Sequence, residues 1–237
     1  MIKSNIVIAF VFFFIGIISF AQTEKKIQKA WIKTKIENLG NTNIEIDTLY
    51  LRYTFDKTIL YMSFNPGWET YKQDWSINKE LLKIGFSTYQ IEELTDTSLI
   101  FSLQGFRRMK FLSEDYLRDQ EKYLISLGNF NGKPLYKAND YISPRYSKKE
   151  SLQDLIQKNL EGYNIKKATN FLASFIVNEK GVIENIIIIK SITEGFDREV
   201  ISQLKKTSKN WNPAYHKGKP IQTLMYYSIK YLDSIAP

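Results

Sequence analysis

The chain has 237 residues, a net charge of +8, 43% hydrophobic and 14% aromatic content, and no cysteine. That apolar share excludes a disordered chain, and the missing thiols exclude disulfides, a cysteine nucleophile and thiolate metal sites. The positive balance favours acidic polymers or anionic membrane surfaces as contacts. Its cations are nevertheless scattered, at Lys25-Lys26, Arg107-Arg108, Lys148-Lys149 and Lys205-Lys206, as on an ordinary solvated surface.

At the amino terminus, Lys3 precedes an apolar run from Ile6 to Phe20, and Ser19 and Ala21 flank Phe20. A positive start, a short apolar stretch and a small-x-small site are the layout of a secretory signal peptide. The run stops short of the about 20 residues that a spanning helix needs. The expectation is therefore a signal over residues 1–21, cleavage before Gln22, and a periplasmic protein. Nucleic acid is not an expected partner in that compartment.

Residues 22–127 form a first block, which reads as short strands from Trp31 to about Leu112 followed by a helix. Ile44 to Phe55 and Thr58 to Phe64 flank Asp56-Lys57, and Asn65-Pro66-Gly67 is a turn signal. Trp75 and Ile77, Tyr89 and Ile91, then Leu99, Phe101 and Leu103 alternate with polar neighbours, which places one face of each strand on a core. Many such strands predict an all-β meander that curls or closes into a barrel, with Trp31, Trp75 and Phe101 filling its core. Ser113 to Leu127 has helical character with Gly128 as C-cap, and the Gly, Asn and Pro content of 128–144 predicts a linker. Gly132-Lys133 is no phosphate loop, because Pro134 stands where Ser or Thr is required.

Residues 145–237 form a second block. Ser147 and Glu150 have the spacing of a capping box ahead of Leu152, Leu155, Ile156 and Leu160, with Gly162 ending the helix. Phe171 to Val177 and Val182 to Ile189 flank the turn Asn178-Glu179-Lys180-Gly181 and predict a hairpin. Phe196, Val200 and Leu204 form a helical stripe, with acids in its first turn and Lys205-Lys206 in its last. Ile221 to Leu232 reads as a third strand. Helix, hairpin, helix and strand predict an α+β unit, a three-stranded antiparallel sheet with two helices.

Two resemblances add to this reading. The segment Tyr89-Gln90-Ile91-Glu92-Glu93-Leu94-Thr95-Asp96-Thr97-Ser98-Leu99 is similar to the "Y-x-I-x-x-L-T-D-T-x-L" phrase of lipocalin-like domains in exported Bacteroidetes proteins, which implies a barrel with an apolar ligand cavity. Between about Ser147 and Leu232 the chain resembles the TonB carboxy-terminal domain, through Asn178-Glu179-Lys180-Gly181-Val182, Phe196-Asp197, Trp211-Asn212-Pro213-Ala214 and Gly218-Lys219-Pro220. It departs at Tyr163, where Asn164 stands in place of the family's proline. The family implies a last strand at the sheet edge that captures an extended peptide of an outer-membrane receptor or other envelope protein. Thr223, Met225, Tyr227, Ile229 and Tyr231 would then be the peptide-binding positions. Gly181, Trp211, Pro213, Gly218 and Pro220 carry the family motif and read as structural. A full energy transducer is not implied, since six prolines in all make no long Pro-rich spacer.

Catalytic chemistry finds little support. His216 is the single histidine and sits beside a Gly-Pro turn, which predicts an exposed loop. No familiar zinc or calcium spacing occurs, so neither a metal nor another cofactor is expected. Glu92-Glu93 on a strand must point to opposite faces, and Glu114-Asp115 suits a helix first turn. The expected function is a non-catalytic periplasmic interaction module that binds an extended peptide by strand addition, with a link to outer-membrane transport. Its rivals are small apolar ligand binding by the barrel and an enzyme built on distant acidic residues.

Overall fold

A computed structural model describes residues 24–40, 49–68, 71–148, 150–163, 165 and 169–231. The expected signal segment and its cleavage site lie outside the described residues. The protein is mostly β, and it divides into two compact units, residues 1–64 with 70–116 and residues 65–69 with 117–237.

The first unit is a closed antiparallel barrel of eight strands in sequence order: β1 (Ala30–Asn38), β2 (Arg52–Asp56), β3 (Ile59–Ser63), β4 (Tyr71–Asn78), β5 (Leu81–Ile84), β6 (Ser87–Leu94), β7 (Ser98–Leu103) and β8 (Arg107–Ser113). The period-two alternation places Tyr53, Phe55, Trp75, Ile77, Phe101, Met109 and Phe111 inward, where they are buried together. Closure removes the free edges that an open meander would leave. Bulges between Lys33 and Lys35 on β1, and between Ile91 and Glu93 on β6, reset which side chains face in. One end of the barrel is filled. A helical turn at residues 24–27 brings Ile27 beneath it, and the Trp31 indole N–H donates to the Ile27 carbonyl at 2.9 Å. On the outer wall Arg52 and Glu114 form a buried ion pair at 3.0 Å.

The second unit contains α1 (Glu114–Arg118) at its border, a 3-10 turn at Glu121–Tyr123, β9 (Ser126–Phe130), β10 (Lys133–Lys137), β11 (Arg145–Tyr146), α2 (Leu152–Lys158), β12 (Thr169–Val177), β13 (Ile183–Lys190), α3 (Glu194–Lys206), β14 (Trp211–Asn212), β15 (Ala214–His216) and β16 (Lys219–Tyr231). Its main sheet runs β13-β12-β16-β10-β9, with β15 also paired to β16, and β11 pairs with β14 separately. Phe196, Val200 and Leu204 of α3 and Leu152 and Ile156 of α2 meet Phe171, Phe175, Met225 and Tyr227 in one core.

Several expectations are corrected here. The sheet has six strands rather than three, because the stretch expected as a linker forms β9 and β10. Glycine at 128 has a positive φ and sits inside β9 instead of capping a helix. The helix expected over 113–127 stops at Arg118, since beyond Leu117 no apolar side chain faces a core: Ile125 and Leu127 are exposed. Ser151, not Ser147, caps α2, accepting from the Asp154 amide at 3.0 Å, while Ser147 donates to the Asn210 carbonyl beside the β11–β14 pair. That helix ends at Lys158, ahead of Gly162.

Gly181, Trp211, Pro213, Gly218 and Pro220 lie in or beside the turns and short strands around β14, β15 and β16. Gly181 has φ +72°, and a Cβ there would lie 1.9 Å from the Trp211 carbonyl oxygen, so only glycine fits. Trp211 is buried, and its indole N–H donates to Thr207 at 3.1 Å. Pro213 separates β14 from β15. Lys217 and Gly218 both have positive φ in the two-residue turn ahead of Pro220.

Candidate functional site

Opposite its filled end, the barrel has an open mouth. In an up-and-down meander, the connections β1–β2, β3–β4, β5–β6 and β7–β8 all fall at one end. Leu39, Leu49, Phe64, Tyr71, Phe86 and Phe106 flank or lie in those connections, and all six are exposed. At the other end Leu81 and Tyr116 are the exposed large apolar residues among those described. So concentrated a ring of exposed apolar groups marks an interaction or ligand-entry surface.

Inside this mouth lies a cup of about 400 Å³, lined by Ile36, Leu51, Tyr53, Phe64, Tyr89, Leu103, Phe106, Arg107 and Met109. Four of these lining residues, Tyr53, Phe64, Tyr89 and Phe106, are aromatic, and two of them pack on core rings. Tyr53 stacks on Phe111 at 5.0 Å, Phe111 on Phe101 at 5.3 Å, and Tyr89 meets Phe101 edge-on at 5.1 Å. Burial pushes the Tyr53 phenol well above its usual range, the Tyr89 hydroxyl adds to this, and the Arg107 guanidinium partly offsets it. Tyr53 therefore stays a neutral hydrogen-bond donor. A larger trough of about 540 Å³ near β3, β4 and β5 is bordered by Lys72, Asp74 and Lys83. Its charged lining suits solvent better than an apolar ligand.

The sheet edge differs from the expectation. Residues 222–224 of β16 pair in parallel with β10, and the Ala138 amide donates to the Leu224 carbonyl at 3.0 Å. Because β16 keeps an unbroken register with β12 from Thr223 to Tyr231, the carbonyl of Leu224 fixes the direction of every alternate residue. Thr223, Met225, Tyr227, Ile229 and Tyr231 turn their main-chain groups toward β12, and the first four are buried on the helix-covered face. Their main-chain groups are taken up by β12 and their side chains lie in or against the core, so these five positions offer no outward edge. Outward amides and carbonyls instead belong to Tyr226, Ser228 and Lys230, beyond the end of β10, with no hydrogen-bond partner among the described residues. A strand alternation read without its neighbours cannot say which parity faces out.

His216 lies on β15 rather than in an exposed loop. Its Nδ1 is 2.7 Å from the Arg118 carbonyl, which can only accept, and its Nε2 is 3.5 Å from Glu121. Glu121 also meets the Lys217 ammonium, and the two neighbours, Lys217 first, hold its carboxyl below the usual range. Glu92 pairs with Arg108 at 2.6 Å. Among the described residues no group of three His, Cys, Asp or Glu is placed to hold a metal. Neither a family model, nor a curated protein, nor a solved structure matches the chain.

Proposed function

We propose that the protein is a non-catalytic binding protein of the cell envelope whose lipocalin-like barrel holds a small apolar ligand in the cup at its mouth. The carrying observation is the cup itself: about 400 Å³ with a largely apolar lining that includes four aromatic residues, within the about 300–1,000 Å³ usual for small-molecule sites. Buried apolar surface supplies the affinity, and the hydroxyls of Tyr53 and Tyr89 supply orientation. Titration with the neutral dye N-phenyl-1-naphthylamine tests this. The intact protein should raise the dye's fluorescence saturably, and Met109→Trp, which fills the cup, should abolish the rise without lowering the melting temperature. Undiminished binding by that variant would place the ligand elsewhere.

A second reading is favoured by the open stretch of β16. The resemblance to the TonB carboxy-terminal domain and the outward groups of Tyr226, Ser228 and Lys230 support capture of an extended envelope peptide by strand addition. Recovery of a peptide-bearing outer-membrane receptor with the intact protein, lost on blocking this stretch, is the observation that would establish it.

A further inference from the structure

We propose that the cup selects small amphipathic carboxylates, with the apolar body against Tyr53, Phe64, Tyr89 and Met109 and the carboxylate at Arg107. This rests on the ligand-binding reading above. Strand β8 sorts its cations by parity. Arg108 and Lys110 lie on the outer face and are neutralised, Arg108 by Glu92 at 2.6 Å and Glu37 at 3.4 Å, and Lys110 by Glu37 at 3.0 Å. Arg107 shares the inward parity of Met109 and Phe111 and is the single charged residue of the cup lining. No carboxylate among the described residues pairs with it. Its guanidinium lies instead 5.0 Å over the Phe106 ring, an aromatic stack that orients the fork without neutralising it.

The other polar groups of the cup point the same way. The hydroxyls of Tyr53 and Tyr89 make no hydrogen bond among the described residues. Tyr53 is close enough to both Tyr89 and Arg107 to feel their fields. The cup thus presents a guanidinium fork and two O–H groups, and no carboxylate, amide or carbonyl side chain. A carboxylate has two oxygens that can accept from all three donors, whereas an alcohol offers one oxygen and an amine or ammonium brings donors of its own. The mouth is ringed by apolar side chains, so the charge meets its partner in partly desolvated surroundings, where charge-assisted bonds are strongest. A cup of about 400 Å³ fits a single medium chain or a small aromatic acid rather than a two-chain lipid.

Displacement of bound N-phenyl-1-naphthylamine from the intact protein by decanoate, decanol and decyltrimethylammonium separates the possibilities. Decanoate should displace the dye at about tenfold lower concentration than decanol, the size expected of one charge-assisted contact, and decyltrimethylammonium should be the weakest. Arg107→Gln should bring decanoate to the level of decanol while the neutral dye still binds. Equal displacement by decanoate and decanol on the native protein overturns the anion preference and leaves the apolar cup standing, whatever the variant does. A decanoate preference that survives in Arg107→Gln assigns the charge recognition to another group and overturns the role given to Arg107. Failure of the native protein to bind the dye at all removes the cup reading and this inference with it.

Discussion

The indole of Trp68 lies against the phenol of Tyr227 with ring centroids 5.9 Å apart. A residue from the β3–β4 connection thereby belongs to the core beside the last strand. Trp68→Ala should cost about 3–5 kcal/mol in the second unit. A fragment of residues 145–237 lacks Trp68, β9 and β10 and should show no cooperative thermal transition. A sharp melt from that fragment would mean that the hairpin, helices and β16 suffice alone.

Tyr227 and Thr223 also carry hydroxyls that are buried with no partner among the described residues. Burial, with Tyr231 adding to it, pushes the Tyr227 phenol above its usual range. Removing an unsatisfied hydroxyl while keeping the shape should stabilise. Tyr227→Phe and Thr223→Val are each expected to raise stability by about 1 kcal/mol, read from the denaturant midpoint. A loss of that size in either variant would reveal a hydrogen bond of the native hydroxyl.

Arg52 and Glu114 form an ion pair in which both side chains are buried. Either single change, Arg52→Met or Glu114→Gln, breaks this buried pair and should cost about 3–5 kcal/mol. The double variant should recover much of the loss, so a cycle across the four proteins reads the coupling directly. Additive losses would mean that the two side chains act independently.

Glu37 is held by Lys35 and Lys110, which lower its carboxyl pKa to about 2. A folded-state value below the unfolded one means that the group favours folding above the unfolded pKa. That contribution is lost as pH falls from about 4.5 toward 2. Carbon-detected NMR titration should place the Glu37 midpoint near 2, and Lys110→Met or high salt should move it up toward the ordinary glutamate range. A midpoint unmoved by both would exclude the lysines as its cause.

Proline separates the two parities of β16. Ser228→Pro removes an outward amide and should leave the melting temperature nearly unchanged while weakening any strand capture. Thr223→Pro removes an amide that faces β12 and should lower stability by about 3 kcal/mol or more. Peptide capture that persists at full strength in Ser228→Pro would show that this edge is not the capture site.

Much of the fold was legible from local pattern. Alternation about Trp75, Tyr89 and Phe101 marked barrel strands, and the stripe Phe196, Val200 and Leu204 marked α3, because a single period is imposed by a single core. The pairing of β10 with β16 was not legible. Leu135 meets Gln222 from far along the chain, and the Gly, Asn and Pro residues around it carry ordinary turn chemistry. Nor could sequence place Trp68 in the second core, since an isolated tryptophan has no period. For the cup, the aromatic positions on β2, β6, β7 and β8 were partly visible. The signal for Arg107 was its place in the inward parity of β8, which becomes readable only once the neighbouring Arg108 is seen to pair outward.

Because β16 is flanked by β12 on one side and by β10 on the other, a strand made after both of its neighbours is also the middle of their sheet. The second unit cannot be assembled progressively from its amino-terminal end. Until β16 emerges, β12 and β10 each present a raw edge, and closing the gap requires a long loop to be fixed before any pairing compensates. Such a chain is exposed to aggregation throughout synthesis, and it gains most from being held unfolded until it is complete. A stop codon shortly after Ile221 would therefore do more than trim a terminus; it would leave two half-sheets with nothing to join them.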